Sequence, residues 1–158
     1  MSHTITAQEV QQAQQQWGDG VVAIANAFQQ QQDHQSIAQE MLDTLYAYNY
    51  GDGIVLFKPT LATQVPFRKT SDSALSYFIG DNAQFEEDQG FAIRPWEQVI
   101  FSNDQMFLHD GLALAMGQYH FIDNTDNTLT AEYTFGYIKD DRAQLKIILH
   151  HSSATLNS

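Results

Sequence analysis

The chain has 158 residues, no cysteine, and 19 acidic against 7 basic side chains, which gives a net charge of −12. Its length suits one domain, and the absence of cysteine excludes disulfides, thiolate nucleophiles and Cys-ligated metals. The acidic balance argues against a nucleic-acid partner, and no stretch is apolar enough to span a membrane. The first residues lack a basic segment followed by an apolar run, so we expect a cytoplasmic protein.

The first element in chain order is a long amphipathic helix. Over residues 6–32, apolar side chains recur every three or four positions, and glutamines fill the other face. Thr6 followed by Glu9 is typical of a capping box at a helix start. Gly18 and Gly20 lower the stability of its middle by about 1 kcal/mol each relative to alanine.

Two shorter helices are predicted after it. Apolar residues at helical spacing predict a second helix over residues 36–48. Thr70 before a mixed run that ends at Gly80 predicts a short helix over residues 71–79.

From residue 54 onward the apolar period changes from about 3.6 residues to 2, which indicates strands. Polar turns separate the longer strands, as in an antiparallel meander. We therefore predict one α+β domain over residues 1–158, with the N-terminal helices packed on a strongly bent antiparallel sheet. The expected strands are 54–57, 65–68, 92–101 with an interruption at Pro95, 105–109, 112–122, 129–139 and 144–153.

The last expected strand ends in adjacent imidazoles and hydroxyls. Alternation places Ile147 and Leu149 on one face and His150 and Ser152 on the other. We expect this strand to be internal, with His150 and Ser152 on the concave side of the sheet. Because neighbouring strand residues point to opposite faces, His150 and His151 cannot bind one metal ion together, and no other metal-ligand spacing occurs.

Seven ordered motifs of this sequence resemble the iota-class carbonic anhydrase family. That family is related to the association domain of calcium/calmodulin-dependent kinase II and shares the cone-shaped fold of nuclear transport factor 2. The motifs are VLFKPT (55–60), PFR (66–68), ALSYFIG (74–80), EDQGFAIRPW (87–96), ALAMGQYHF (113–121), EYTFGY (132–137) and LHHSS (149–153).

The resemblance implies an enzyme that interconverts carbon dioxide and bicarbonate, and it implies a homodimer. Some members of the family are described as metal-free and others as using a divalent metal. We expect no obligatory cofactor, and the question of zinc or manganese stays open. Carried over by motif, the catalytic groups are Thr60, Tyr77, His150 and Ser152.

A pocket for carbon dioxide needs apolar walls beside a few oriented polar groups. Three hydroxyls among the implied residues would hold water and bicarbonate, and His150, with an ordinary pKa of about 6.5, would relay the proton. The pocket-lining candidates, most of which are equally suited to plain core packing, are Phe57, Phe78, Trp96, Met116, His120 and Phe135.

Two other functions stay open at this point. The same fold carries non-catalytic oligomerisation or small-ligand-binding modules, and it carries cyclases and isomerases. An isomerase-like enzyme needs a carboxylate inside the cavity, and Glu132 is the acid within a strand that would supply it. His120 is the second residue with two interpretations, because it is either a hydrogen-bonded core histidine or part of a cavity wall.

Overall fold

Residues 4–156 contain three α-helices and five strands. The structure is a computed structural model that describes residues 4–156, so residues 1–3 and 157–158 of the expected domain lie outside it. The helices are α1 (Ala7–Gln29), α2 (His34–Leu45) and α3 (Ser71–Ile79), and the strands are β1 (Leu56–Lys58), β2 (Trp96–His109), β3 (Leu112–Asp123), β4 (Thr128–Lys139) and β5 (Leu145–Ala154).

The five strands form one sheet in the order β1-β5-β4-β3-β2. Strands β2 to β5 are the expected antiparallel meander, and β5 is internal. β1 pairs with β5 in parallel, which makes the sheet mixed rather than antiparallel throughout. A parallel neighbour needs a long crossover, and here the chain from β1 runs through α3 and three further strands before it returns.

The inner face of the sheet packs against α1, and Trp17 lies at the centre of this contact. Alternate residues of β3 and β4 are buried there, among them Tyr119, Phe121, Tyr133 and Phe135. The indole makes ring contacts with Phe78, Phe101, Tyr119, Phe121, Phe135 and His150.

Helix α1 begins with the expected capping box, since the Thr6 hydroxyl accepts from the Glu9 N–H and the Glu9 carboxylate accepts from the Thr6 N–H. Its two glycines allow close packing. A Cβ at Gly18 would lie 3.2 Å from the Cβ of Val99 in β2, and one at Gly20 would lie 2.5 Å from the sulfur of Met41 in α2. The two glycines lower the stability of the helix, but they allow it to pack closely against both β2 and α2.

Several element boundaries differ from the expected ones. α1 ends at Gln29, shortly before Gln31, whose φ of +59° lies in the left-handed region. α2 ends at Leu45 rather than at 48, because Tyr46 is extended and forms a bridge with Ile147 of β5. Residues 47–49 then form one 3₁₀ turn.

Three expected strands are absent or changed in this part of the structure. Residues 65–68 form no strand, although the Arg68 N–H donates to the Phe57 carbonyl at 2.8 Å. Residues 91–93 form a 3₁₀ turn, and the strand begins at Trp96, just after Pro95. It continues to His109 as one element, with an irregularity between Asn103 and Gln105 where two strands were expected.

A β-bulge at Ile148 decides which side chains of β5 face inward. Tyr137 of β4 pairs with Ile147 and the preceding Gly136 with Leu149, so Ile148 has no partner in the ladder. The extra residue shifts the alternation, and Ile147 lies on the same inner face as His150. The expectation that these two residues occupy opposite faces is wrong for this reason.

A buried ion pair fixes the long connection between β1 and α3. Arg68 is fully buried, and its guanidinium donates to both carboxylate oxygens of Asp88 at 2.7 Å. It also donates to the carbonyls of Val65 and Ser73, both at 2.8 Å. The hydroxyl of Ser76 in α3 donates to Asp88 as well.

The carboxylate of the neighbouring Glu87 binds the backbone of the same connection. Its carboxylate accepts from the N–H groups of Thr63, Gln64 and Val65, at 2.8 to 3.2 Å. Desolvation raises the pKa of Glu87, but these hydrogen bonds outweigh it and lower the pKa to about 2.

Within residues 4–156, no helix has the length and apolar composition that crossing a membrane requires.

Candidate active site

The parallel pairing of β1 with β5 brings the implied catalytic residues together. Phe57 lies opposite His150 in the register, and the chain then passes Pro59 and places Thr60 beside Ser152. The Thr60 and Ser152 hydroxyl oxygens are 2.6 Å apart. Tyr77 reaches the same place from α3, and its hydroxyl accepts from the Leu61 N–H at 3.2 Å.

These groups surround a small cavity of about 10 Å³. That volume accommodates about one water-sized molecule. Ser152 is fully buried behind Thr60 and contacts it rather than lining the space. The lining residues are Trp17, Phe57, Pro59, Thr60, Tyr77, Phe78, Phe91, Tyr119 and His150.

Two of the expected pocket walls, Phe57 and Phe78, line this cavity. Phe135 does not line it but supports it, because its ring stacks on His150 with centroids 4.0 Å apart. Trp96 lies one layer further out, where it packs against Phe91 and donates its indole N–H to the Phe91 carbonyl at 2.7 Å.

Met116 and His120 lie on the other face of the sheet and do not line the cavity. Met116 is 57% exposed, and the Nδ1 of His120 lies 2.9 Å from the Thr130 hydroxyl. The strand alternates as expected, but the larger aromatic residues between and beside them, Tyr119 and Phe121, take the inner face. Met116 and His120 are therefore not walls of this cavity, in contrast to what was expected from the sequence.

Glu132 shares that outer face and is exposed. Its strand partners are Gln118 and Ser153, both outside the cavity. The carboxylate that an isomerase-like enzyme would need is therefore not supplied by this residue.

The imidazole of His150 is held from both ends. Its Nδ1 lies 2.8 Å from the Tyr46 hydroxyl and its Nε2 lies 3.1 Å from the Tyr119 hydroxyl. Burial, and to a smaller extent the nearby His151, holds the pKa of His150 well below the ordinary value of about 6.5. The ring is therefore uncharged at neutral pH. The pKa of His150 thus differs from the ordinary value that was expected from the sequence.

Three residues of this site carry no sequence signal strong enough to mark them: Trp17, Tyr46 and Tyr119. The Tyr119 hydroxyl donates to Ser152 at 2.5 Å, and the Trp17 indole N–H donates to the Tyr46 hydroxyl at 2.9 Å. The strand alternation that buries Tyr119 is visible in the sequence, whereas the positions of the other two depend on tertiary packing.

The tyrosine hydroxyls of the site stay protonated at neutral pH. Burial raises the pKa of Tyr46, Tyr77 and Tyr119, although hydrogen bonds oppose part of this effect. For Tyr77 the opposing bonds come from Leu61 and Thr60. The site is thus a set of uncharged donors and acceptors inside an aromatic shell.

This donor set offers little to a metal ion. Within residues 4–156, no three His, Asp or Glu side chains lie close enough together to hold one. The cavity contains a single imidazole and neutral hydroxyls, which differs from the three or four nitrogen, sulfur or carboxylate ligands of a zinc site.

A larger concavity, of about 1140 Å³, lies between α1 and the first half of β2. It is an open groove, and glutamines of α1 such as Gln11, Gln14 and Gln15 form much of its wall. Its size does not make this groove the better candidate for the active site. The small cavity is where polar groups converge within hydrogen-bonding distance and where a histidine has a shifted pKa.

Structural comparison identifies the fold first. A protein of the NTF2-like family from Streptomyces avermitilis superimposes with a TM-score of 0.60 at 12% identity, covering 94% of this chain and 95% of that chain. A structure from Xanthomonas campestris described as a calcium/calmodulin-dependent protein kinase II association domain gives 0.63 at 21% identity, covering 98% and 91%. The chain thus has the NTF2-like cone fold that the motifs implied.

The sequence comparison then identifies the family. Residues 8–154 match the model of the metal-independent carbonic anhydrases, and the chain belongs to that family. A metal-independent carbonic anhydrase from Nostoc sp. strain PCC 7120 is 38% identical over 156 residues, which are 97% of this chain and 75% of that protein. The family's description agrees with the expectation of no obligatory metal.

The crystal structure of a cyanobacterial iota-carbonic anhydrase in complex with bicarbonate is closely similar in shape. It superimposes with a TM-score of 0.94 at 36% identity and covers 100% of this chain and 97% of that chain. The resemblance that the seven sequence motifs indicated is therefore confirmed by sequence and by structure.

Proposed function

We propose that this protein interconverts carbon dioxide and bicarbonate in the cavity between β1, β5 and α3, without an obligatory metal. The proposal is supported by one observation in a chain of the metal-independent carbonic anhydrase family: the hydroxyls of Thr60 and Tyr77 and the imidazole of His150 line one aromatic cavity, and the Ser152 hydroxyl contacts Thr60 from behind. We propose that these four residues carry the reaction.

The two halves of the cavity suit the two forms of the substrate. Carbon dioxide is apolar and uncharged, and the rings of Phe57 and Phe78 offer it an apolar wall. In hydration, a water oxygen bonds to carbon, one C=O electron pair moves onto its oxygen, and the water loses a proton to solvent. Hydroxyl donors at Thr60 and Tyr77 then stabilise the negative charge that develops on the oxygens.

His150 takes part as a neutral group. Because its pKa is lowered by burial, it does not store the released proton at neutral pH. Its contacts with Tyr46 and Tyr119 instead make it the middle of a hydrogen-bonded chain that ends at Ser152 and Thr60.

The size of the cavity sets a condition on binding. A volume of about 10 Å³ suits one water-sized molecule, and bicarbonate is larger. We therefore expect the residues around Thr60 to shift when the substrate enters. This segment lies between β1 and α3, outside helix and strand. A shift there would break the bond from the Leu61 N–H to Tyr77, while the bonds of Glu87 and Arg68 hold the rest of the connection in place.

Stopped-flow hydration of carbon dioxide by chelator-treated protein tests the proposal. We expect hydration well above the buffer rate and a fall of about 10²-fold for Tyr77→Phe, the effect of losing one preorganised donor. Ser152→Ala acts through Thr60 and should lower the rate by about tenfold. Tyr137→Phe is the matched control, because its buried hydroxyl has no hydrogen-bond partner within residues 4–156. Metal-free, folded protein that hydrates no faster than buffer would refute the enzyme function.

In that event a non-catalytic binding or association module becomes the better description. The fold shared with the association-domain structure is compatible with this second function. Bicarbonate binding measured by calorimetry separates the two, since a binding module would keep affinity without turnover.

We also propose that the protein is a homodimer that pairs through the outer face of the sheet. This face carries exposed apolar side chains beside polar ones, an arrangement typical of a contact surface. Light scattering should give twice the chain mass of 17.9 kDa, and Phe107→Glu should reduce it. A single-chain mass at micromolar concentration would contradict the dimer. The exposed apolar residues are Leu56, Ile100, Phe107 and Met116.

Two further predictions concern the domain organisation and the location of the protein. One is that residues 1–158 form a single domain, for which one cooperative unfolding transition would be the evidence. The other is a cytoplasmic location, which fractionation of the native cells would test.

A further inference from the structure

The hydrogen-bonded chain of the site begins at a group that can only donate. The indole nitrogen of Trp17 carries a proton and no available lone pair, and its N–H points to the Tyr46 oxygen at 2.9 Å. Both residues are almost completely buried, at 2% and 0% exposure. Every other member of the chain can donate or accept, so this end sets the direction.

The Tyr46 hydroxyl has to place its own proton. Its oxygen accepts from Trp17, and within residues 4–156 the acceptor recorded near it is Nδ1 of His150, at 2.8 Å. If Nδ1 carried a proton, the buried Tyr46 O–H would lack an acceptor, at a cost of about 1–3 kcal/mol. Tyr46 therefore donates to a bare Nδ1.

The positions of the remaining protons in the chain follow from the position of the Tyr46 proton. A neutral imidazole with a bare Nδ1 carries its proton on Nε2, which lies 3.1 Å from the Tyr119 oxygen. The Tyr119 hydroxyl then donates to Ser152, the direction that its geometry already shows. Ser152 in turn donates to Thr60, 2.6 Å away.

We propose that Trp17 and Tyr46 are positioning residues that hold His150 in its Nε2–H tautomer and so turn the hydroxyl chain into a donor aimed at the cavity. The inference rests on the proposed function in one respect, that the ligand in the cavity is an oxyanion. With the chain in this direction, Thr60 presents a proton to the developing charge. In the reverse direction it would present lone pairs, which repel that charge.

The ring environment supports the assignment independently of the hydrogen bonds. His150 is stacked between Phe57 and Phe135, with centroid distances of 4.8 and 4.0 Å. A ring held between two others cannot flip without displacing them, so Nδ1 and Nε2 keep their separate partners.

Nitrogen-15 NMR of the histidine rings tests the tautomer directly, since protonated and bare ring nitrogens resonate far apart. The His150 signals are assigned by their loss in His150→Gln. We expect a bare Nδ1 and a protonated Nε2 in the unchanged protein. Tyr46→Phe removes the donor to Nδ1 and should give a mixture of tautomers, and Trp17→Phe should do the same to a smaller extent.

Tyr137→Phe is the control, and it should leave the His150 spectrum unchanged. A protonated Nδ1 in the unchanged protein would overturn the proposal, and so would a pure Nε2–H tautomer in folded Tyr46→Phe. Because Trp17 is central to the core, Tyr46→Phe is the decisive variant if Trp17→Phe does not fold.

Activity gives a second, separate measurement. Tyr46→Phe touches no substrate, so we expect a fall in kcat of about tenfold, smaller than the loss of a direct donor. If the unchanged protein fails to hydrate carbon dioxide, the proposed function fails, while the tautomer measurement still decides the direction of the chain.

Discussion

Two buried polar clusters meet at Tyr77, and they differ in charge. One is the Arg68–Asp88 ion pair, whose guanidinium lies 5.9 Å from the centre of the Tyr77 ring. The other is the uncharged network of Thr60, His150 and Ser152 with Tyr119, at the hydroxyl end of the same side chain.

Burial serves a different purpose in each cluster. In the ion pair, charges and backbone carbonyls satisfy one another, and the pair fixes the connection between β1 and α3. In the uncharged network Trp17 sets the direction of the hydrogen bonds, and the Thr60 O–H at the end of the chain is directed to a ligand in the cavity. A rigid charged cluster thus positions a neutral donor.

Breaking the ion pair should have the largest effect. Arg68→Met leaves the buried Asp88 without its partner, and we expect a loss of about 3–5 kcal/mol in unfolding free energy. Denaturant unfolding followed by tryptophan fluorescence measures it. The double variant Arg68→Met/Asp88→Leu removes both charges and should recover much of the loss. Equal stability of the single variant and the unchanged protein would show that the pair has no such role.

Changing the uncharged network should lower stability less than breaking the ion pair does. Thr60→Val removes one hydroxyl at nearly constant volume, and we expect hydration to fall by about 10²-fold. The unfolding free energy should fall by about 1–3 kcal/mol, because the buried Ser152 O–H loses its acceptor. An unchanged hydration rate in folded Thr60→Val would remove Thr60 from the mechanism and leave its role structural.

The smallest expected effect is a pH dependence of the unfolding free energy, which arises from His150 in the uncharged network. His150 has a lowered pKa, so the unfolded chain binds a proton below about pH 6.5 that the folded protein excludes. The stabilisation is complete above this pH and is lost as the pH falls, by at most about 1.4 kcal/mol per pH unit.

Unfolding experiments between pH 5 and pH 7 measure this slope, and His150→Gln should reduce it. Glu87 does not interfere, because its pKa is lowered to about 2 and its contribution is lost below the ordinary carboxylate range. Identical slopes with and without His150 would contradict a neutral, buried imidazole.

Much of the fold and part of the site could be predicted from sequence. The capping box at Thr6 and the periods of 3.6 and 2 residues gave the order of helices and strands, and the motifs indicated Thr60, Tyr77, His150 and Ser152. Local patterns suffice where the determining interactions lie within a few residues of one another.

The remaining features depend on contacts that are distant in sequence. Tyr46 and His150 are 104 positions apart, and a helical pattern does not show that Trp17 donates to a tyrosine. Alternation separated the two faces of β3 correctly, but it did not show which face is inner, and Met116 was misplaced for that reason.

The unpaired Ile148 bears on how this family tolerates change. Replacing it by another apolar residue keeps the number of residues in β5 and the packing of its partly buried side chain against the core. Deleting the residue would restore strict alternation and turn His150 and Ser152 away from α1. Relatives that keep the site should therefore tolerate apolar exchanges at this position but no deletion.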